Sequence, residues 1–484
     1  MTPTRPLARP TLFAAACVAL GALAACGSDP GTIATDTTGG DAVATDTTGG
    51  DTVATDTTGG DTGATTDTAG GDAISADTLG ADTAPDSVSA DTADDAQASD
   101  TADDTQAGDA AVAADGTDTD ASDTTAPGDA AAPLLDDLTT RGPNAVGYLS
   151  ETLSYTPRGD AEPRTLRVVY WYPTHAATGD AVLYGGILPA PGVLGGAPPA
   201  RDLGKLPVLV FSHGNGSFAE QSYFFTEFFA SHGFLVAAVD HTGNTYADLN
   251  GPLPNAIFRW RPGDITALLD HVDGLPAEHP LADLASDAIA MSGHSFGGYT
   301  TLADGGAGFA VDLVLAYCLT QSLPGDACAS VAADQEIYRA GFLDPRIDAL
   351  VPMAPGGVIL FTGGVSDVAL PTLLFTGSRD ATTPNATEGD PAWNGLSARA
   401  GNLRVDFANA GHFTFSDACS LPIAVGTNDG CGPDFVDPDA AHVAIDAYTL
   451  AFLRLHLLGD ASGAAVLDGS LTLEADAHLS VGGP

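Results

Sequence analysis

The sequence predicts an α/β fold: a mostly parallel sheet with helices on both faces, preceded by a disordered acidic tether. Three observations lead there. Composition changes abruptly near Arg141; short apolar runs then alternate with longer amphipathic ones; and a Gly-x-Ser-x-Gly segment joins a strand-like run to a helix-like one. The chain has 484 residues, with 63 acidic side chains against 16 basic ones and a net charge of −47. From Gly27 to Thr140 there are 26 Asp and no Glu, Lys or Arg, while residues 141–484 carry a net −23. A surface this negative repels phosphate backbones and anionic headgroups, which argues against nucleic-acid binding and electrostatic membrane docking.

Residues 1–26 have a basic start, an apolar run from Leu12 and small residues before a cysteine, the layout of a secretory signal rather than a spanning helix. Leu23-Ala24-Ala25-Cys26 resembles the lipobox of bacterial lipoproteins. The resemblance implies a lipidated Cys26, a membrane partner through that N-terminal anchor, and a cell-envelope location at the outer membrane or cell surface, with plain secretion as the alternative. Residues 27–140 repeat Ala-Thr-Asp-Thr-Thr-Gly-Gly-Asp at 34–41, 44–51 and 54–61 and contain no aromatic residue. Such a stretch buries too little apolar surface to offset the entropy of ordering, so it reads as a self-repelling tether. Calcium binding by Asp115, Asp118, Asp120 and Asp123 is the rival reading, but the remaining ligand positions of a calcium loop are missing.

Residues 141–484 form the predicted catalytic domain. Strands are expected at 166–172, 207–212, 235–240, 288–291, 349–353, 371–376 and 403–408, several of them continuous in Val, Leu, Ile and Phe as strands buried on both faces require. Helices are expected at 218–232, 257–275, from Ser295 onward, and at 441–457. In a parallel sheet of this kind ligands sit beyond the carboxyl ends of the strands.

At one such end stands Gly293-His294-Ser295-Phe296-Gly297, which predicts a nucleophile elbow with the Ser295 hydroxyl exposed above a helix N-terminus. A serine hydroxyl needs a base, and the base an orienting carboxylate. Asp380 follows the strand at 371–376, and His412 follows the strand and glycine turn at 403–411. Asp344 and Asp348 are the competing acids, but they precede a strand. His232, His271, His442 and His456 fall on or at the ends of helices. The developing oxyanion needs N–H donors, for which Phe296 and Asn215 are chosen, with Gly214 second. His213 is read as a support of that loop.

These motifs together resemble a bacterial α/β-hydrolase of the platelet-activating-factor acetylhydrolase and predicted dienelactone hydrolase group. The resemblance runs from about Arg164 to Leu458 and rests on Tyr170-Trp171-Tyr172-Pro173, Ser212-His213-Gly214-Asn215-Gly216, Asp240-His241-Thr242-Gly243-Asn244, Arg261-Pro262-Gly263-Asp264, the elbow, and Gly411-His412-Phe413. It implies hydrolysis of carboxylic esters, small or lipid, without cofactor or metal, with Ser295, Asp380 and His412 at the catalytic positions. Plasma acetylhydrolases carry their acid after the strand that here ends Val351-Pro352-Met353-Ala354-Pro355, which has no carboxylate. Dienelactone hydrolases use a cysteine nucleophile, and the similar polyester hydrolases usually have Met where Phe296 stands.

Of the remaining cysteines, export and close spacing favour Cys318 with Cys328 and Cys419 with Cys431, both expected to pin loops near the site. The expected activity is a serine esterase acting on short-chain or acetylated esters, possible phospholipids included; the alternatives are a polyester hydrolase, cutinase-like or lipase activity, and an idle hydrolase domain used for binding. No obligate protein partner is evident.

Overall fold

The computed structural model describes residues 134–483 except 249–250, 324–326, 422–428 and 474. The signal segment, Cys26, the aspartate repeats and the four aspartates weighed for calcium lie outside the described residues.

Eleven strands form one sheet: β1 (Ala145–Tyr155), β2 (Arg164–Thr174), β3 (Asp180–Tyr184), β4 (Leu188–Gly195), β5 (Leu206–Ser212), β6 (Leu235–Asp240), β7 (Ala285–His294), β8 (Ala349–Met353), β9 (Leu373–Gly377), β10 (Leu403–Phe407) and β11 (Ala477–Val481). Across the sheet they run β11-β10-β9-β8-β7-β5-β6-β2-β1-β4-β3. The six from β10 to β6 are parallel, while β2 joins β6, and β11 joins β10, antiparallel. This is the sheet of an α/β-hydrolase: strand order reverses at β5, which has β6 on one side and β7 on the other, and in such sheets ligands sit beyond the carboxyl ends of the strands at that reversal.

The helices are α1 (134–139), α2 (Tyr223–Ser231), α3 (Ile257–Asp273), α4 (Phe296–Asp304), α5 (Val311–Cys318), α6 (Ala327–Ala333), α7 (Gln335–Ala340), α8 (Gly389–Leu396), α9 (Pro438–Leu458) and α10 (Ala464–Leu467). Alternate residues of each central strand point to opposite faces, so one strand feeds two cores. Val208 and Val210 of β5 pack with α3 and α4, whereas Leu209 and Phe211 pack with α2 and α9. All four are at most 1% exposed, which is why the run is apolar throughout.

Each of the seven expected strands is present, and each expected helix, with shifted ends. Helix α2 starts at Tyr223 rather than 218 because the preceding turn is held by other groups: Ala219 N–H donates to Asp240 Oδ1 (2.8 Å), and Gln221 spends its side chain on the site. β1, β3, β4 and β11 were not expected; they lie outside the central parallel strands, with β3 and β11 at the two edges, their exposed and buried residues alternate irregularly, and β4 contains two prolines. α1 falls inside the stretch assigned to the tether. Its Leu138 is fully buried in the α2/α9 core, so folded structure begins before Arg141.

Candidate active site

β7 ends at His294, and Ser295 adopts φ 60° and ψ −117° before α4 begins at Phe296. A left-handed non-glycine residue costs about 1–3 kcal/mol and persists only when its surroundings fix it. Here Ser295 N–H donates to Met353 O (2.9 Å), and Ser295 O accepts from Gly356 N–H (3.1 Å). The glycines on either side are steric necessities: a Cβ on Gly297 would stand 1.8 Å from Ser212 O, and one on Gly293 would stand 2.5 Å from Gly297 O.

Asp380 follows β9 and His412 follows β10, and their side chains meet: His412 Nδ1 lies 2.9 Å from Asp380 Oδ2. Both are buried, at 3% and 6% exposure. Burial opposes ionisation of Asp380, but the hydrogen bond and charge of His412, the N–H of Thr383 (2.6 Å) and the Thr383 hydroxyl (2.7 Å) hold the carboxyl below its usual range. With Nδ1–H directed at the carboxylate, His412 Nε2 keeps its lone pair, which is the tautomer a base requires. The His412 loop is held against the elbow: His294, the residue before Ser295, donates Nε2–H to His412 O (2.9 Å), and the two rings are 4.6 Å apart.

Sequence reasoning missed Asp429. Its Oδ1 accepts from His412 N–H (3.0 Å) and Ala381 N–H (3.1 Å), and its Oδ2 accepts from Thr382 N–H (2.8 Å). One carboxylate thus ties the turn carrying the acid to the loop carrying the base. Asp429 sits within the loop closed by Cys419–Cys431, a bridge present in the structure with Cα atoms 5.3 Å apart. Cys318–Cys328 is present too, and joins α5 to α6. The second bridge adjoins the site as expected; the first staples the insertion after α4.

On the opposite side, Gly214 N–H donates to Gln221 Oε1 (2.7 Å) and Gly216 N–H to Asn244 O (3.1 Å), which leaves Asn215 N–H as that loop's uncommitted donor among the described residues. Gln221 Nε2 in turn donates to His294 Nδ1 (2.7 Å). Burial, reinforced by the charge of His412, pushes His294 down to about 3, so it stays neutral in this chain of bonds. Phe296 N–H, at the first position of α4, has no acceptor within the helix. His213 supports the loop, accepting His241 N–H at Nε2 (3.0 Å) while Nδ1–H donates to Gly214 O (2.7 Å).

The competing residues are occupied elsewhere. Asp344 pairs with Arg346, and Asp348 accepts Ile289 N–H. His271 bonds Glu151, His232 bonds Thr140 O, His442 stacks on Phe224, and His456 packs on Phe452. Trp260 packs beneath Arg164, and Tyr223 lines a cavity of about 560 Å³ that contains none of Ser295, Asp380 and His412. No group of three or more His, Cys, Asp or Glu side chains able to hold a metal occurs among the described residues.

A family model described as platelet-activating factor acetylhydrolase, isoform II, matches residues 194–248. The match spans β5, α2 and β6 with the Asn215 loop, and ends before the elbow. Among solved structures, a ferulic acid esterase from Streptomyces cinnamoneus is similar at 22% identity and TM-score 0.48, covering 67% of this chain and 93% of its own. No curated protein matches the chain.

Proposed function

We propose that the chain is a serine-dependent carboxylic ester hydrolase working through an acyl-enzyme. The observation that carries this is the Asp380–His412 hydrogen bond beyond β9 and β10, with the His412 loop bonded to the residue preceding a strained Ser295. His412 Nε2 takes the Ser295 Oγ proton as Oγ attacks the acyl carbon. The carbonyl oxygen becomes an oxyanion facing Asn215 N–H and Phe296 N–H. Collapse expels the alcohol, which receives the proton from His412, and water then repeats the sequence to release the acid. Asp380 holds the imidazole in the required tautomer and stabilises it when protonated.

The family-model match over the oxyanion-side loop supports a short-chain or acetylated ester as substrate. p-Nitrophenyl acetate tests the reaction class: the wild type turns it over, and Ser295→Ala loses at least about 10³-fold in kcat. A series of acyl lengths, with an acetylated phospholipid and an insoluble polyester included, sorts the substrate. The N-terminal sequence supports export and anchoring at Cys26; palmitate incorporation that survives Cys26→Ser would refute the anchor.

A further inference from the structure

Arg261, on α3, is 0% exposed, and every acceptor it bonds is neutral. Nε–H donates to Thr300 Oγ1 (3.1 Å), one terminal nitrogen to Asn244 Oδ1 (2.7 Å), and the other to Ser212 Oγ (3.0 Å) and to the backbone oxygen of His213. The carboxylate one turn along, Asp264, is taken by Arg164 (2.8 and 2.9 Å), Tyr155 Oη–H (2.6 Å) and His241 Nδ1–H (2.9 Å). Among the described residues no carboxylate lies within ion-pairing distance of Arg261. A desolvated cation with neutral partners is a large cost to a core, and an apolar side chain of similar volume would avoid it. Local costs of this kind are expected where they serve a site.

Its surroundings identify the site. The guanidinium lies over the Phe296 ring, 4.5 Å from the centroid. Its two terminal nitrogens grip the loop after β5 at Ser212 and His213 and, beside it, Asn244. Asn244 in turn donates to Asn215 Oδ1 (2.8 Å) and accepts Gly216 N–H (3.1 Å). The residues that present both oxyanion donors, Phe296 and Asn215, are therefore bound to one buried cation, directly and through Asn244.

We infer that Arg261 is a positioning residue of the ester hydrolysis proposed above: it registers the Asn215 loop against the start of α4 and sets a fixed positive charge behind the oxyanion. In a water-excluded interior such a charge favours the transition state, in which negative charge develops on the acyl oxygen, over the neutral ester. The inference rests on the serine-esterase reading, and its test separates the two.

The test compares wild type with Arg261→Lys, Arg261→Gln and Asn244→Ala, with folding followed by thermal melting and active sites counted by a fluorophosphonate. For each folded protein, kcat and KM are measured on p-nitrophenyl acetate, together with Ki for a trifluoromethyl ketone that forms an oxyanion adduct. Arg261→Gln is expected to lower kcat about 30- to 100-fold with KM within about twofold, and to weaken the ketone by a similar factor. Arg261→Lys, which keeps the charge, recovers much of that loss, and Asn244→Ala, which frees Asn215 but leaves the cation, loses about 10-fold in kcat. If neither Arg261 variant folds, Asn244→Ala decides. Values of kcat per active site and Ki within about twofold of wild type in the folded variants would overturn the inference. A wild type that neither turns over ester nor takes the fluorophosphonate would instead overturn the esterase reading.

Discussion

Asp429 Oδ1 accepts the backbone N–H of His412 at 3.0 Å, while the same carboxylate holds Ala381 and Thr382 beside Asp380. The distance between acid and base is thus fixed by a third side chain from another loop. Asp429→Ala frees both loops at once and is expected to lower kcat at least about 10-fold, with a stability loss of about 1–3 kcal/mol. Asp429→Asn keeps one acceptor and should fall between. Wild-type kcat in Asp429→Ala would show that the two loops hold their register without it.

The two disulfides should separate in their effects. Each closes a short loop, worth about 3 kcal/mol in the chain-entropy model. Replacing Cys318 and Cys328 by Ser is expected to lower Tm with kcat within about twofold, because that bridge joins α5 to α6. Replacing Cys419 and Cys431 loosens the loop bearing Asp429, and should lower kcat as well as Tm. Paired melting curves and rates on all three proteins check this.

Gly297→Ala tests the elbow's packing. Its Cβ would meet the Ser212 carbonyl at 1.8 Å, backbone against backbone, so neither side can yield by a rotamer change. The expected outcome is a loss of at least about 2 kcal/mol in chemical denaturation together with lost ester turnover. A variant as stable and active as wild type would contradict the close approach of α4 to β5.

Much of this was legible in the residues. The central strands announced themselves because burial on both faces demands unbroken apolar runs, as in Val208-Leu209-Val210-Phe211. Ser295, Asp380 and His412 were legible as candidates because each follows such a run at a strand end. The outer strands β1, β3, β4 and β11 were not, since they are only partly buried, carry polar residues on either face and, in β4, include Pro189 and Pro191. Asp429 was hidden because its role comes from three backbone N–H groups that only the closed loop assembles; Arg261 was quoted within a motif, but its role was hidden because an arginine in a helix reads as surface, and only the fold buries it among neutral acceptors. Leu134, Leu135 and Leu138 were the overlooked sign that folding starts before Arg141.

Glu388, just before α8, gives a pH-dependent stability. Burial, opposed by the Val358 and Gly357 N–H groups and reinforced by the charge of Asp380, pushes its carboxyl up to about 7. A carboxyl raised on folding contributes stability that is full below its unfolded value near 4.5 and is lost as pH rises through about 7. Glu388→Gln keeps an acceptor for Val358 N–H without the charge. Relative to the variant, wild-type Tm should therefore fall between pH 5 and pH 8. A Tm difference that stays constant over this window would contradict the assignment.

The central claim is that Ser295 is a nucleophile activated by His412 and Asp380. Its most direct test is the intact mass and peptide map of the full chain after treatment with a fluorophosphonate. One adduct is predicted, on the peptide containing Ser295, absent in Ser295→Ala and slower by at least about 10³-fold in His412→Ala. Adduct formation on another residue, or ester turnover undiminished in Ser295→Ala, would contradict it.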